Sequence, residues 1–229
     1  MRNWFKFACV ILLTVVLTSR SSIHANAHEM FVNGSTPIQL KWSIKSAADT
    51  FYHTKVNYDL LSSKTVYRDN APDAIKSWLS NPTKSYCTYE SFNNSNVDLV
   101  TMTKSNWSQN GYSYYTLAVT WLTDTNGLTI KTNAHAKSSS KKIRYAAIYF
   151  NPDHDKNLLG IAPTIVGNQN QQLGTIVHEI GHAYTLGHCD TLYNIVPDST
   201  KSIMRAEASY NMPTTLQQHD IDDMNAKYK

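Results

Sequence analysis

His178, Glu179 and His182 stand in the run His178-Glu179-Ile180-Gly181-His182, and a third histidine, His188, follows six residues later. Imidazole is a metal ligand and a carboxylate is a proton acceptor, so these residue types could hold a metal ion and activate water beside it. The spacing supports that chemistry. Each residue of an α-helix turns by about 100°, so His178 and His182 lie one turn apart on one face, with Glu179 beside them. His188 can join the same ion only if the helix stops and the chain turns back. Gly187 is the residue expected to make that turn, because glycine takes a positive φ without steric cost. Three neutral histidines around a tetrahedral zinc leave one position open, the arrangement of a catalytic site. Glu179 could then take a proton from water and pass it to a leaving nitrogen, which suits amide hydrolysis.

Elements must exist to position these groups. The metal helix is expected to begin near Gln171 or Leu173 and run to about Thr185, burying Ile176, Val177, Ile180 and Ala183. Ahead of it, alternation of apolar and polar residues predicts strands at 37–45, 96–102 and 114–122, and the apolar run 143–150 predicts another. A helix is expected over 73–79, entered through Pro72 and stopped at Asn81-Pro82; residues 46–70 show no clear period. A closing helix is expected after Thr214 or Thr215, with Gln217 or Gln218 at the capping-box position and Ile221, Met224 and Tyr228 on its packed face. At least four strands with one helix among them are thus expected before residue 152, ahead of the metal helix and the closing helix.

HEIGHAYTLGH resembles the metzincin zinc signature, H-E-x-x-H-x-x-G-x-x-H. Ser202-Ile203-Met204-Arg205 is similar to the methionine turn of that family, and the terminal stretch with His219-Asp220-Ile221-Asp222-Asp223 resembles the last helix of bacterial matrixins. The resemblance covers about residues 170–229. It implies that His178, His182 and His188 bind zinc, that Glu179 is the general base and that Met204 lies beneath the metal. It implies an α+β fold, a twisted mixed sheet with an active-site helix and a C-terminal helix, whose mostly parallel strands include one antiparallel edge strand. A peptide would bind along that edge by β-augmentation, and the strand expected there is 143–150. It implies that residues 206–212 wall the pocket for the residue after the scissile bond. Matrixins also hold structural zinc and calcium, for which His135, Asp153, His154 and Asp155 are the candidates here, against a plain solvated loop. The chain departs from the pattern where Thr185 replaces the signature glycine and Ala206 stands where some metzincins have a ligand tyrosine. No cysteine-switch motif is present.

The rest of the chain sets the compartment. Arg2 and Lys6, the apolar run 8–18 and Ala25-Asn26-Ala27 read as a signal peptide over 1–27, leaving 28–229 as one matrixin-like zinc metallopeptidase domain. A secreted, extracellular protein without stable membrane association follows. With 229 residues, 41% hydrophobic and 17% charged, the chain suits one globular core. The net charge of +4 is scattered, its densest basic cluster being 137–144, and nucleic-acid binding is not expected. Cys87 and Cys189 are left either as a disulfide or as two buried thiols. The expected activity is zinc-dependent hydrolysis of a protein or peptide by a monomer. The alternatives are a zinc hydrolase of a non-protein amide and a metal-holding binding protein or toxin without turnover.

Overall fold

The computed structural model describes residues 29–43, 52–62, 66–80, 82–83, 85–153, 169–189, 202–205 and 213–228. The signal segment, His154, Asp155 and residues 206–212 lie outside that set. A two-stranded hairpin, β1 (Val32–Asn33) and β2 (Thr36–Pro37), turns through Gly34 at φ 62°. Then come β3 (Lys41–Trp42), β4 (Tyr52–Asn57), α1 (Val66–Leu79), β5 (Ser85–Tyr89) and β6 (Val97–Thr101). They are followed by α2 (Lys104–Gln109), β7 (Ala118–Asp124), β8 (Thr129–Ile130), α3 (Asn133–Ser138) and β9 (Lys142–Phe150). The chain closes with α4 (Gln169–Ala183) and α5 (Gln218–Lys227). The fold is α+β.

Seven strands form one mixed sheet in the order β5-β4-β6-β9-β7-β8, with β3 also on β9. The β4–β5, β4–β6, β6–β9 and β3–β9 pairs are parallel, whereas β7 runs antiparallel to β9 and β8 antiparallel to β7. The 143–150 run is therefore the centre of the sheet and not its edge. Its burial explains this: Ala146, Ala147, Ile148 and Phe150 are all buried, so both faces are covered, and a continuous apolar run marks such a strand. The antiparallel strand toward the rim is β7, with alternating buried and half-buried residues; it begins at Ala118, not 114. β8 covers only its far end, at Leu122 and Thr123, so 118–121 has no strand on its outer side among the described residues.

Helix α1 corrects the sequence reading. It begins at Val66, with Pro72 inside it. Proline removes one helical hydrogen bond, at about 3 kcal/mol. Against that stand Tyr67, Ala71, Ala74, Ile75 and Trp78, all buried on one stripe. Burial of each large side chain contributes roughly 1.5–3 kcal/mol, so packing outweighs the proline. Residues 46–70 likewise contain a strand, β4, and the first turn of α1. Of the expected strand 37–45, β3 is the part that enters the main sheet among the described residues, and Ile38, Leu40 and Trp42 are buried as the alternation implied. The short α2 and α3, each N-capped by a threonine hydroxyl, and strands β5 and β8 carry no long period and escape a sequence reading.

Candidate metal centre

Helix α4 starts at Gln169, slightly before the expected residue, and packs Ile176, Val177, Ile180 and Ala183 into the core. Trp78 of α1 donates its indole N–H to the Val177 carbonyl at 3.1 Å, which fixes the helix from below. Gly181, between the two histidines, is required by close approach. A Cβ there would overlap the Met204 sulfur and lie 3.1 Å from its methyl and 3.6 Å from Trp78. Met204 thus sits against the metal helix.

The helix ends in a Schellman motif. Leu186 N–H donates to the Gly181 carbonyl at 3.0 Å and Thr185 N–H to the His182 carbonyl at 2.8 Å. The left-handed residue of the turn is Thr185, at φ 67°; Gly187 does not have a positive φ. The expectation for Gly187 is therefore corrected. The handedness falls on the position of the signature glycine, and threonine tolerates it because its hydroxyl donates to the Leu40 carbonyl at 2.8 Å. That bond offsets a strain of about 1 kcal/mol or more. Gly187 serves another need: a Cβ there would overlap the Glu29 carbonyl oxygen and lie 3.0 Å from Met30 N.

The turn brings His188 to the other two histidines. Its Nε2 lies 3.2 Å from His178 Nε2 and 3.0 Å from His182 Nε2. Ligand nitrogens about 2.0–2.1 Å from a tetrahedral zinc are about 3.3 Å apart, so the spacing fits. The tautomers fit as well. His178 Nδ1 is 2.7 Å from the Ile203 carbonyl and His182 Nδ1 is 2.7 Å from the Leu186 carbonyl. A carbonyl only accepts, so both Nδ1 atoms carry the proton and both Nε2 lone pairs point at the third imidazole. One imidazole N–H can satisfy only one of two lone pairs; a cation satisfies all. Burial, and the neighbouring imidazoles, hold the pKa of both His178 and His182 down to about 3, so they stay neutral and ready to ligate.

Each support reaches further back. Ile203 N–H donates to Asp220 Oδ2 of α5 at 3.0 Å, and Ser202 Oγ donates to the other oxygen. Asp220 also receives Gln217 N–H at 2.8 Å; the N-cap of α5 is Gln217, with Asp220 closing its capping box, instead of a threonine. The line Asp220–Ile203–His178 therefore joins the last helix to the first ligand, and it is a support the sequence alone does not reveal.

Glu179 lies beside the trio, buried, with Oε2 accepting the Thr120 hydroxyl of β7 at 2.6 Å. Burial pushes its carboxyl above the usual range, against the pull of His178, Thr120 and His188. Nothing in the sequence pattern singles out Thr120. The site opens into a cleft of about 520 Å³ lined by residues 116–121, which lead into and open β7, by the three histidines and Glu179, and by Tyr112, Lys131 and Arg205. The Lys131 ammonium sits 3.2 Å over the Trp121 ring, whose N–H donates to the Tyr112 hydroxyl at 2.7 Å.

The other expected groups that are described do not assemble. Among the described residues, His178, His182 and His188 are the one cluster close enough to share a metal. Asp153 pairs with Lys104 at 3.1 Å, and His135 Nδ1 accepts Lys131 N–H at 3.4 Å; among the described residues neither meets a partner ligand for calcium or a second zinc. Cys87 and Cys189 are both buried thiols and do not join. No helix among the described residues is long and apolar enough to cross a membrane.

Comparison with known proteins adds little to this geometry. No protein-family model matches the chain, and no curated protein matches it in sequence. Among solved structures, the chain is similar to one titled "Structure of Myroilysin", at 12% identity and a TM-score of 0.43, over 91% of this chain and 93% of that one. A likeness so slight carries no argument about chemistry; the three histidines and their supports do.

Proposed function

We propose that the chain is a zinc-dependent endopeptidase of the metzincin type, acting on proteins or peptides outside the cell. The observation that carries this reading is the convergence of three Nε2 atoms beside a buried carboxylate, at the foot of a cleft walled by an open strand. His178, His182 and His188 would hold the metal. Bound there, zinc would polarise a peptide carbonyl and lower the pKa of water from 15.7 toward about 7.

The remaining work belongs to the chain. The outer edge of β7 at 118–121 would pair with an extended substrate, placing a peptide bond beside Glu179. Glu179 would accept the proton of the attacking water and deliver it to the leaving nitrogen. Thr120 holds Oε2 of that carboxylate, so Oε1 is the oxygen left to exchange the proton. The signal-like segment 1–27 supports secretion, and the scattered charge supports a protein rather than a nucleic-acid partner.

Metal analysis of purified protein, with casein digestion, tests the reading. About one zinc per chain is expected, with cleavage abolished by a chelator and by Glu179→Ala, while Glu179→Ala still binds zinc. Zinc without cleavage of any protein would shift the reading to another amide or to a binding role. A protein that takes up no zinc would remove the site itself.

A further inference from the structure

Among the described residues, the one ion pair with both members buried joins the first described segment to the last helix: Lys227 Nζ of α5 and Glu29 Oε2. Burying two charges costs about as much as their attraction returns, so such a pair is a weak source of stability. Its best-attested use is to set a register. The register it would set here is plain from its neighbours. Glu29 forms an antiparallel β-bridge with Leu186, and Met30 N–H donates to the Thr185 carbonyl at 3.3 Å. The Glu29 carbonyl also fills the space a side chain at Gly187 would need.

These contacts fall on the three residues just before His188. Leu186, which lies opposite Glu29 in the bridge, supplies the carbonyl that orients the His182 ring at 2.7 Å. Two of the three ligands therefore depend on backbone that leans on residues 29 and 30. The C-terminal side adds its own hold: Tyr228 donates to the Tyr184 carbonyl at 2.9 Å, immediately after Lys227.

We propose that Glu29 and Lys227 are positioning residues for the metal: their buried pair seats residues 29–30 on the 185–187 turn and so aims His182 and His188 at the ion. Metal affinity is thereby coupled to the docking of both ends of the domain, and a chain whose 29–30 segment is displaced is a low-affinity form. The inference rests on the metal-binding half of the proposed function and not on cleavage.

The test replaces both charges, Glu29→Met with Lys227→Met, in the full chain, and measures zinc affinity against a chromophoric chelator alongside urea unfolding in EDTA. The pair removed together leaves no lone buried charge, so the metal-free protein should unfold at the wild-type urea concentration or higher. Zinc affinity should fall by about 10–100-fold, the usual loss when an outer support of a ligand is removed. The half-buried pair Lys55–Glu90, replaced in the same way, should leave affinity within about twofold. Gly187→Ala, which displaces the Glu29 backbone without touching a charge, should weaken zinc similarly and reads the same contact if the double variant does not fold. Wild-type affinity in the double variant or in Gly187→Ala would overturn the clamp; a wild-type chain that binds no zinc would instead overturn the metal site.

Discussion

At the scale of single residues, the centre is built from proton positions. His178 and His182 each spend Nδ1–H on a backbone carbonyl, which leaves Nε2 for a metal. Their depressed pKa makes metal-free stability depend on pH. The folded value, about 3, lies below the ordinary 6.5, so unfolding takes up protons in between. That contribution is present above about pH 6.5 and is lost as pH falls toward 3, by up to about 1.4 kcal/mol per pH unit for each histidine. Glu179 and Asp220, pushed up by burial, act in the opposite sense and reduce the net slope. Urea midpoints in EDTA should therefore be lower at pH 5 than at pH 7; equal midpoints would contradict the neutral, buried assignment. Thr120 is the second lesson at this scale. Thr120→Val should lower kcat by about 10–100-fold with zinc affinity unchanged, and Thr120→Ser should restore most of it, since a freed carboxylate swings from its place. The motif points to the candidate ligands and base, but Thr120 is 59 positions from Glu179 and no local pattern links the two.

At the scale of elements, the metal helix was the most legible part of the chain, because Ile176, Val177, Ile180 and Ala183 repeat with a helical period and are all buried. The sheet was legible as strands but not as an order. The difference between β9, apolar on both faces, and the alternating β7 decides which is central, and that difference is written in their composition. The hidden parts are those fixed by tertiary contact: α1 continuing through Pro72, and the helix end at Thr185. Thr185→Gly should change stability by less than about 1 kcal/mol, because relieved strain and a lost hydrogen bond nearly cancel. Thr185→Val keeps the strain and loses the bond, and should destabilise by about 2–3 kcal/mol in urea unfolding. Gly181→Ala should destabilise by about 1–3 kcal/mol through overpacking, and less when Met204→Ala makes room.

At the scale of the whole molecule, separate parts of the chain meet at one small volume. The strand β7 supplies Thr120, α4 supplies three groups, the turn supplies His188, and α5 braces the methionine turn through Asp220. An ion that engages such dispersed parts stabilises the fold as a whole. With free zinc a thousandfold above its dissociation constant, the gain is about 4 kcal/mol. A chain of this size shifts by about 2–4 °C per kcal/mol, so chelation should lower the melting temperature by roughly 8–16 °C. Calorimetry with and without a chelator checks this; coincident transitions would mean that the ion is not part of the folded structure. The left-handed threonine at 185 also separates two things that a one-letter motif writes as one. The helix stop before His188 needs a backbone handedness, which glycine takes freely and which threonine carries here because its hydroxyl finds a buried acceptor.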